Sequence, residues 1–283
     1  MEALQALFTG LAGGATLALV ALGLTLVFGV LRVVNFAHGA LFMLGAYTCY
    51  ACTEVAGIGY FPAILVSAAA IAAVSVVLAL VVFRRFRGLE LEGAIAAVAL
   101  AVAIENAGII FFKAVPRQVQ GPLTQVVDLG SLHLPVQRIF MIVVAVALFG
   151  ALSLFVARTH WGRALRAVQQ DEEAAQLQGI TVTQAMIVAF AIGGALAGVA
   201  GALVAPDQVL SPTMGTTPLL LAFVAIVVGG MGNIGGTLAA AFGVGILQSF
   251  VSTYWVPQAA TWTSFAVVLL ILAVRSRRPV VYA

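Results

Sequence analysis

The stretch VFGVLRVVNFAHGALF, Val27 to Phe42, decides how this chain folds. An apolar run ends at Arg32, an asparagine and a histidine follow at positions 35 and 38, and a second apolar run starts at once. Spaced three apart, Asn35 and His38 share one face if the segment is helical; if it is a loop, Gly39 lets the backbone turn. Either they satisfy backbone groups where two helices meet, or they line a polar route. Catalysis has little support, because no Ser, Cys or carboxylate lies near His38 in sequence with triad or metal spacing.

The rest of the chain resembles the two flanks of this stretch. Of 283 residues, 63% are hydrophobic and 8% charged, with a mean hydropathy of +1.15. That composition belongs to an integral membrane protein. Apolar runs long enough to cross ~30 Å of hydrocarbon recur at about 4–30, 38–55, 62–83, 93–114, 139–157, 183–204, 217–231, 236–254 and 260–274. The second and seventh are short enough to be discontinuous or re-entrant. The expected fold is an all-α polytopic helix bundle of about eight or nine passes, forming a single transmembrane domain over residues 1–283. Glu2 precedes the first run and no basic residue does, so that run is read as a retained span and not as a signal peptide.

Basic residues set the direction. If the Arg84, Arg85 and Arg87 loop is cytoplasmic, alternation puts Arg32, Arg158, Arg163, Arg166, Arg275, Arg277 and Arg278 on the same side, ten of the thirteen basic residues in all. Lys113, Arg117 and Arg138 fall on the other side, around a Pro- and Gly-containing loop that suits an external cap. The N-terminus is therefore expected outside and the C-terminus in the cytoplasm. The +3 net charge follows from this bias and is no evidence for nucleic acid.

Cys49 and Cys52 form a CxxC, read as helix-packing residues because no second Cys pair or His cluster completes a metal set. In AIGGALAGVAGAL, Gly194 and Gly198 form one small-residue row while Gly193, Ala197 and Gly201 continue another; Gly10 and Gly14 repeat the spacing in the first span. Such rows let helices approach closely, within the chain or between subunits.

Polar residues inside the spans are few, and each is a functional candidate. A carboxylate such as Glu105, beside Asn106, costs on the order of 3 kcal/mol near a span centre. It sits about twelve residues, or roughly 18 Å, into its span. It faces a cavity, with a substrate ammonium or amide as partner, or it bonds a neighbouring helix. VVGGMGNIGGTL, Val227 to Leu238, cannot easily hold a regular helix. Gly230, Gly232 and Asn233 are read as a break between half-helices or a tight inner turn bordering a pathway.

Arg158 to Ala185 is the most charged stretch. Arg163 and Arg166 precede Asp171, Glu172 and Glu173 in a helix-forming composition. Gly179 is placed to end a short helix, and Thr181 with Gln184 fits a capping box that starts the next span. One or two short helices outside the bilayer are expected over about 158–182. Lys113 is the only lysine, so no GxxxxGK[ST] phosphate loop exists in the chain.

EAAQLQG, Glu173 to Gly179, matches the EAA-x-x-x-G pattern of coupling loops in ABC importer permeases. It coincides, in order, with ALGLTLVFGVLRVVNFAHGALFMLGAY (Ala21 to Tyr47), GRALRAVQQDEEAAQLQGI (Gly162 to Ile180) and VVGGMGNIGGTLAAAFGVGIL (Val227 to Leu247). Together these resemble the permease of the high-affinity branched-chain amino acid importer, the LivH type, over essentially the whole chain.

The resemblance implies a bacterial inner-membrane subunit that works with a homologous second permease or a second copy, two ATPase subunits and a periplasmic binding protein. ATP and Mg would be used by the ATPase subunits, with no cofactor in this chain. The helix around Glu173, Ala174 and Gly179 would dock on an ATPase, while Asn35 to Gly39 and Gly229 to Gly236 would be membrane breaks near the pathway or its gate. One departure is Glu105 with Asn106, where the family pattern has a neutral Gln-Asn pair; this leaves the cargo open. The rival reading is a proton- or sodium-coupled secondary transporter that uses Glu105.

Overall fold

A computed structural model describes residues 2–276 except 32, 114, 130 and 131. Arg32, Arg277 and Arg278, which entered the orientation argument, lie outside the described residues. The helices are α1 (Glu2–Leu31), α2 (Ala37–Tyr50, prolonged by a π turn, Ala51–Val55), α3 (Tyr60–Val81), α4 (Glu90–Phe112), α5 (Val136–Arg158), α6 (His160–Gln170), α7 (Glu172–Leu177), α8 (Val182–Val204), α9 (Thr216–Gly229), α10 (Ile234–Tyr254) and α11 (Pro257–Ser276). Among the described residues, six helices are long and apolar enough to span a membrane, namely α1, α3, α4, α5, α8 and α10. The second and seventh expected spans are the short α2 and α9, each 14 residues of α-helix.

A small antiparallel hairpin was not expected. Strands β1 (Val126–Leu129) and β2 (Leu132–Pro135) pair with Asp128 opposite His133, and a hydrogen-bonded His133–Asp128 side-chain pair closes the hairpin. Gln5 of α1 holds it through both the amide and the carbonyl of His133. The apolar runs of the spans set the fold class, while this four-residue alternation within a polar loop is too short to stand out.

α1 and α8 form the interior. Nearly all of the apolar stretch of α1 and almost three quarters of that of α8 are buried, whereas α4 and α5 present most of theirs outward. Glycine makes the crossing possible: a Cβ on Gly23 would lie 2.8 Å from the Gly193 carbonyl oxygen, and one on Gly193 would lie 2.9 Å from that of Gly23. The other small residues of α8 serve its other neighbours. Gly198 meets the Ser67 carbonyl of α3 and the Gly45 backbone of α2, and Gly201 lies against Phe42 and Ala46 of α2. Gly10 and Gly14 of α1 press on Ile246 and Phe242 of α10. These small-residue rows are therefore seams within the chain.

The contacts define two halves that exchange partners. α1 packs on α10 and α9, and α8 packs on α3 and α2. α1 ends, and α8 begins, at the same end of the bundle, so the halves α1–α3 and α8–α10 run in opposite senses, as in inverted repeats. The Arg84 to Arg87 turn shares that end with α6 and α7, since Arg87 pairs with Glu172. Arg117 and Arg138 lie at the other end, against Tyr50 and Asp207.

Candidate functional site

α2 starts inside the bundle. After α1 ends, the chain turns back, and His38 reaches Gly23, eight residues or about 12 Å before the end of α1. Asn35 stabilises this turn: its Oδ1 accepts the Ala37 amide at 3.1 Å and its carbonyl accepts the His38 amide at 3.1 Å. Both side chains are buried, Asn35 at 1% and His38 at 0% exposure. The His38 ring lies between α1 and α8. Neither ring nitrogen has a hydrogen-bond partner among the described residues.

The start of α9 touches that of α2, with Gly215 buried at the contact and Thr216 and Thr217 exposed beside it. A Cβ on Gly39 would lie 2.7 Å from the Gly215 carbonyl oxygen and 2.9 Å from Leu219 Cβ, and Gly215 has no room for one against the Gly39 backbone. The next residue, Thr216, donates its hydroxyl to Glu105 Oε1 at 3.3 Å. The first two groups of candidates thus converge on one junction, where the Asn35, His38 and Gly39 turn meets the start of α9 and Glu105 reaches it from α4. Asn106 turns away and bonds the Val102 carbonyl of its own helix.

The opposite end of α9 is the glycine-rich turn. It is a tight turn between α9 and α10, with Gly230 at φ +93° and Gly232 at φ +83°, values that favour glycine. Gly229 and Gly236 meet backbone to backbone, and Asn233 caps α10 by accepting the Gly236 amide at 3.0 Å. Near the same end, the Thr25 and Thr237 hydroxyls join α1 to α10 at 3.3 Å.

Against this turn lies the charged segment, folded as α6 and α7. Thr159 caps α6 by accepting the Gly162 amide, and Asp171 caps α7 by accepting the Ala174 amide at 3.0 Å. Gly179, at φ +80°, closes α7. The expected capping box does not form: Thr181 occupies the N-cap of α8 without a side-chain bond. α6 buries Gly162, Ala164, Leu165 and Val168, and Arg166 bonds the Val156 carbonyl. Arg163, Glu173 and Ala174 are exposed. Gln169 reaches between α1 and the glycine turn, where neither Gly29 nor Gly232 could carry a side chain without displacing it.

A family model described as branched-chain amino acid transport system / permease component matches residues 6–274. The chain belongs to this permease family. The permease is 31% identical to the high-affinity branched-chain amino acid transport system permease protein BraD of Pseudomonas aeruginosa, over 96% of this chain and 94% of that protein. It is 30% identical to the LivH permease protein of the corresponding Escherichia coli K12 system, over 96% and 93%. A probable branched-chain amino acid transport permease protein LivH of Methanocaldococcus jannaschii is 28% identical over 84% and 78%. No solved structure matches the permease.

Several contacts in the permease escaped sequence reasoning because they join distant segments. Arg87 with Glu172, Gln169 with Gly29 and Gly232, and Thr216 with Glu105 carry no local spacing signal. Cys49 and Cys52 are free and buried, and among the described residues no cluster of three or more His, Cys, Asp or Glu could hold a metal ion.

Proposed function

We propose that this permease is the membrane-spanning subunit of an ATP-driven importer that carries branched-chain amino acids, or related small polar solutes, from a periplasmic binding protein into the cytoplasm. One observation carries the mechanism. α9 has its start at the junction of Asn35 to Gly39 with Glu105, and its end in a glycine turn pressed by Gln169 of the α6–α7 element. A movement of α6 and α7 is thereby transmitted along 14 residues, about 21 Å, to that junction.

In this reading α7 is the docking element for an ATPase subunit. Glu173, Ala174 and Leu177 face outward, Leu177 at 88% exposure, and Asp171 and Gly179 hold both ends of the helix. ATP and Mg belong to two partner ATPase subunits, and a second permease, homologous or identical, completes the pathway. Asn35 and His38 lie at the start of α2, where the Asn35 side chain supplies a hydrogen bond to the turning backbone that lipid cannot. The chain lies in the bacterial inner membrane with its N-terminus outside and C-terminus in the cytoplasm, which places the Arg84 to Arg87 turn and α6–α7 inside. Family membership favours this importer over a carrier coupled through Glu105.

The test is ATP turnover by the reconstituted complex with its binding protein and a cargo panel, for wild type and for Glu173→Arg with Gly179→Asp. The expected result is cargo-stimulated turnover in wild type and its loss in an assembled variant. Uptake at full rate by the permease alone, without any ATPase, would overturn the reading.

A further inference from the structure

At the end of the bundle away from α6 and α7, a cavity of about 480 Å³ opens between α1, the first turns of α5 and α9, α10 and the chain that joins α8 to α9. That volume is in the range of small-molecule sites. Its lining is mixed. Leu17, Met141, Val204 and Leu221 supply apolar surface, uncharged polar side chains such as Thr16, Gln208 and Gln248 lie among them, and Arg138 and Asp207 place one guanidinium and one carboxylate at the same cavity.

The two charges are paired loosely. Arg138 Nε and Nη2 lie 3.4 and 3.5 Å from the two Asp207 oxygens, and Nη1 lies 3.5 Å from the Thr9 hydroxyl. Strong charge-assisted bonds run to about 2.7–2.9 Å. Each side chain also keeps a quarter or more of its surface exposed. A ligand carrying one negative and one positive group can therefore replace this pair by two tighter ones, with its carboxylate on Arg138 and its ammonium on Asp207.

We infer that this cavity is a receiving site for the zwitterionic head of an α-amino acid, with Arg138 and Asp207 reading the two charges and the Leu17, Met141, Val204 and Leu221 surface taking an aliphatic side chain. The inference rests on the amino-acid reading above and assigns it residues. Other solute classes fit less well. A dicarboxylate meets Asp207 as a like charge, and a polyamine meets Arg138. The open cleft beside Arg87 at the other end does not share these properties, since Asp171, Glu172 and Glu173 surround one guanidinium there and no apolar wall faces them.

The test is binding of radiolabelled leucine to the purified complex in detergent, without binding protein, for wild type, Arg138→Gln, Asp207→Asn and the exchange Arg138→Asp with Asp207→Arg. Leucine should bind wild type. Leucinamide, which lacks the carboxylate, and 4-methylpentanoate, which lacks the ammonium, should fail to displace it. Each single substitution should weaken binding at least about tenfold, the loss expected for one charged hydrogen bond, and the exchange should recover part of it.

Unchanged leucine binding in both single variants would overturn the inference, as would displacement by either probe at the potency of leucine. If a variant fails to assemble, alkylation of Thr217→Cys in the same cavity supplies the readout, since leucine should slow it and leucinamide should not; equal rates would again overturn the site. Leucine-stimulated ATP turnover without any leucine binding to the complex would sink the site and leave the transport reading standing. Stimulation by another solute class alone would sink the amino-acid reading itself.

Discussion

Gly23 and Gly193 face one another where α1 crosses α8, and each lacks room for a methyl group. Gly23→Ala should lower stability by roughly 1–3 kcal/mol, the usual cost of forcing an extra carbon into a packed interior. Gly150→Ala on exposed α5, where nothing lies within 4 Å, should instead gain roughly 0.5–1 kcal/mol. Thermal unfolding of the two variants in the same detergent decides it, and equal shifts would mean that the α1–α8 crossing is looser than described. Asn35 is a second such position. Loss of its bond to the Ala37 amide in Asn35→Ala should cost ~1 kcal/mol, and Asn35→Ser, which keeps an acceptor, should recover part of that. The role of Asn35 in stabilising a chain break was legible in the sequence, because its partner lies two residues away. The burial of His38 was not, because it depends on α8, which the local pattern around His38 does not reveal.

Among the elements, α6 and α7 were the most legible, since the helix-forming composition and the Gly179 stop are local signals, whereas the Asp171 cap was not read and the Thr181 capping box does not form. Their attachment was not legible. Arg87 of the α3–α4 turn pairs with Glu172 at side-chain exposures of 26% and 38%, and a pair so open contributes at most about 1 kcal/mol to stability. Arg87→Ala should therefore leave the melting temperature of the complex nearly unchanged while lowering cargo-stimulated ATP turnover, because α7 loses its tether to the spans. A large fall in melting temperature with normal coupling would assign the pair to folding alone. Gln169→Ala makes a stronger case. It empties the space between Gly29 and Gly232 and should uncouple ATP turnover from uptake, which parallel measurement of phosphate release and transported cargo would detect. The hairpin of β1 and β2 stayed hidden because four-residue strands in a long polar loop give too little periodicity to read.

The molecule as a whole is built by exchange, since each buried central helix rests on the opposite half, α1 on α10 and α8 on α3. Hydropathy alone located nearly every span, and its short second and seventh runs marked α2 and α9. It could not reveal which span meets which, since lipid and protein interior are equally apolar and seam glycines name no partner. A consequence is that neither half should persist alone. Residues 1–118, expressed without the remainder, should be degraded in the membrane, and co-expression with 119–283 should restore both fragments and their association; a stable isolated fragment would contradict the exchange. At the meeting of the halves, Gly39 and Gly215 touch through backbone alone. So close an approach leaves no slack, and a side chain added at either glycine should push the starts of α2 and α9 apart.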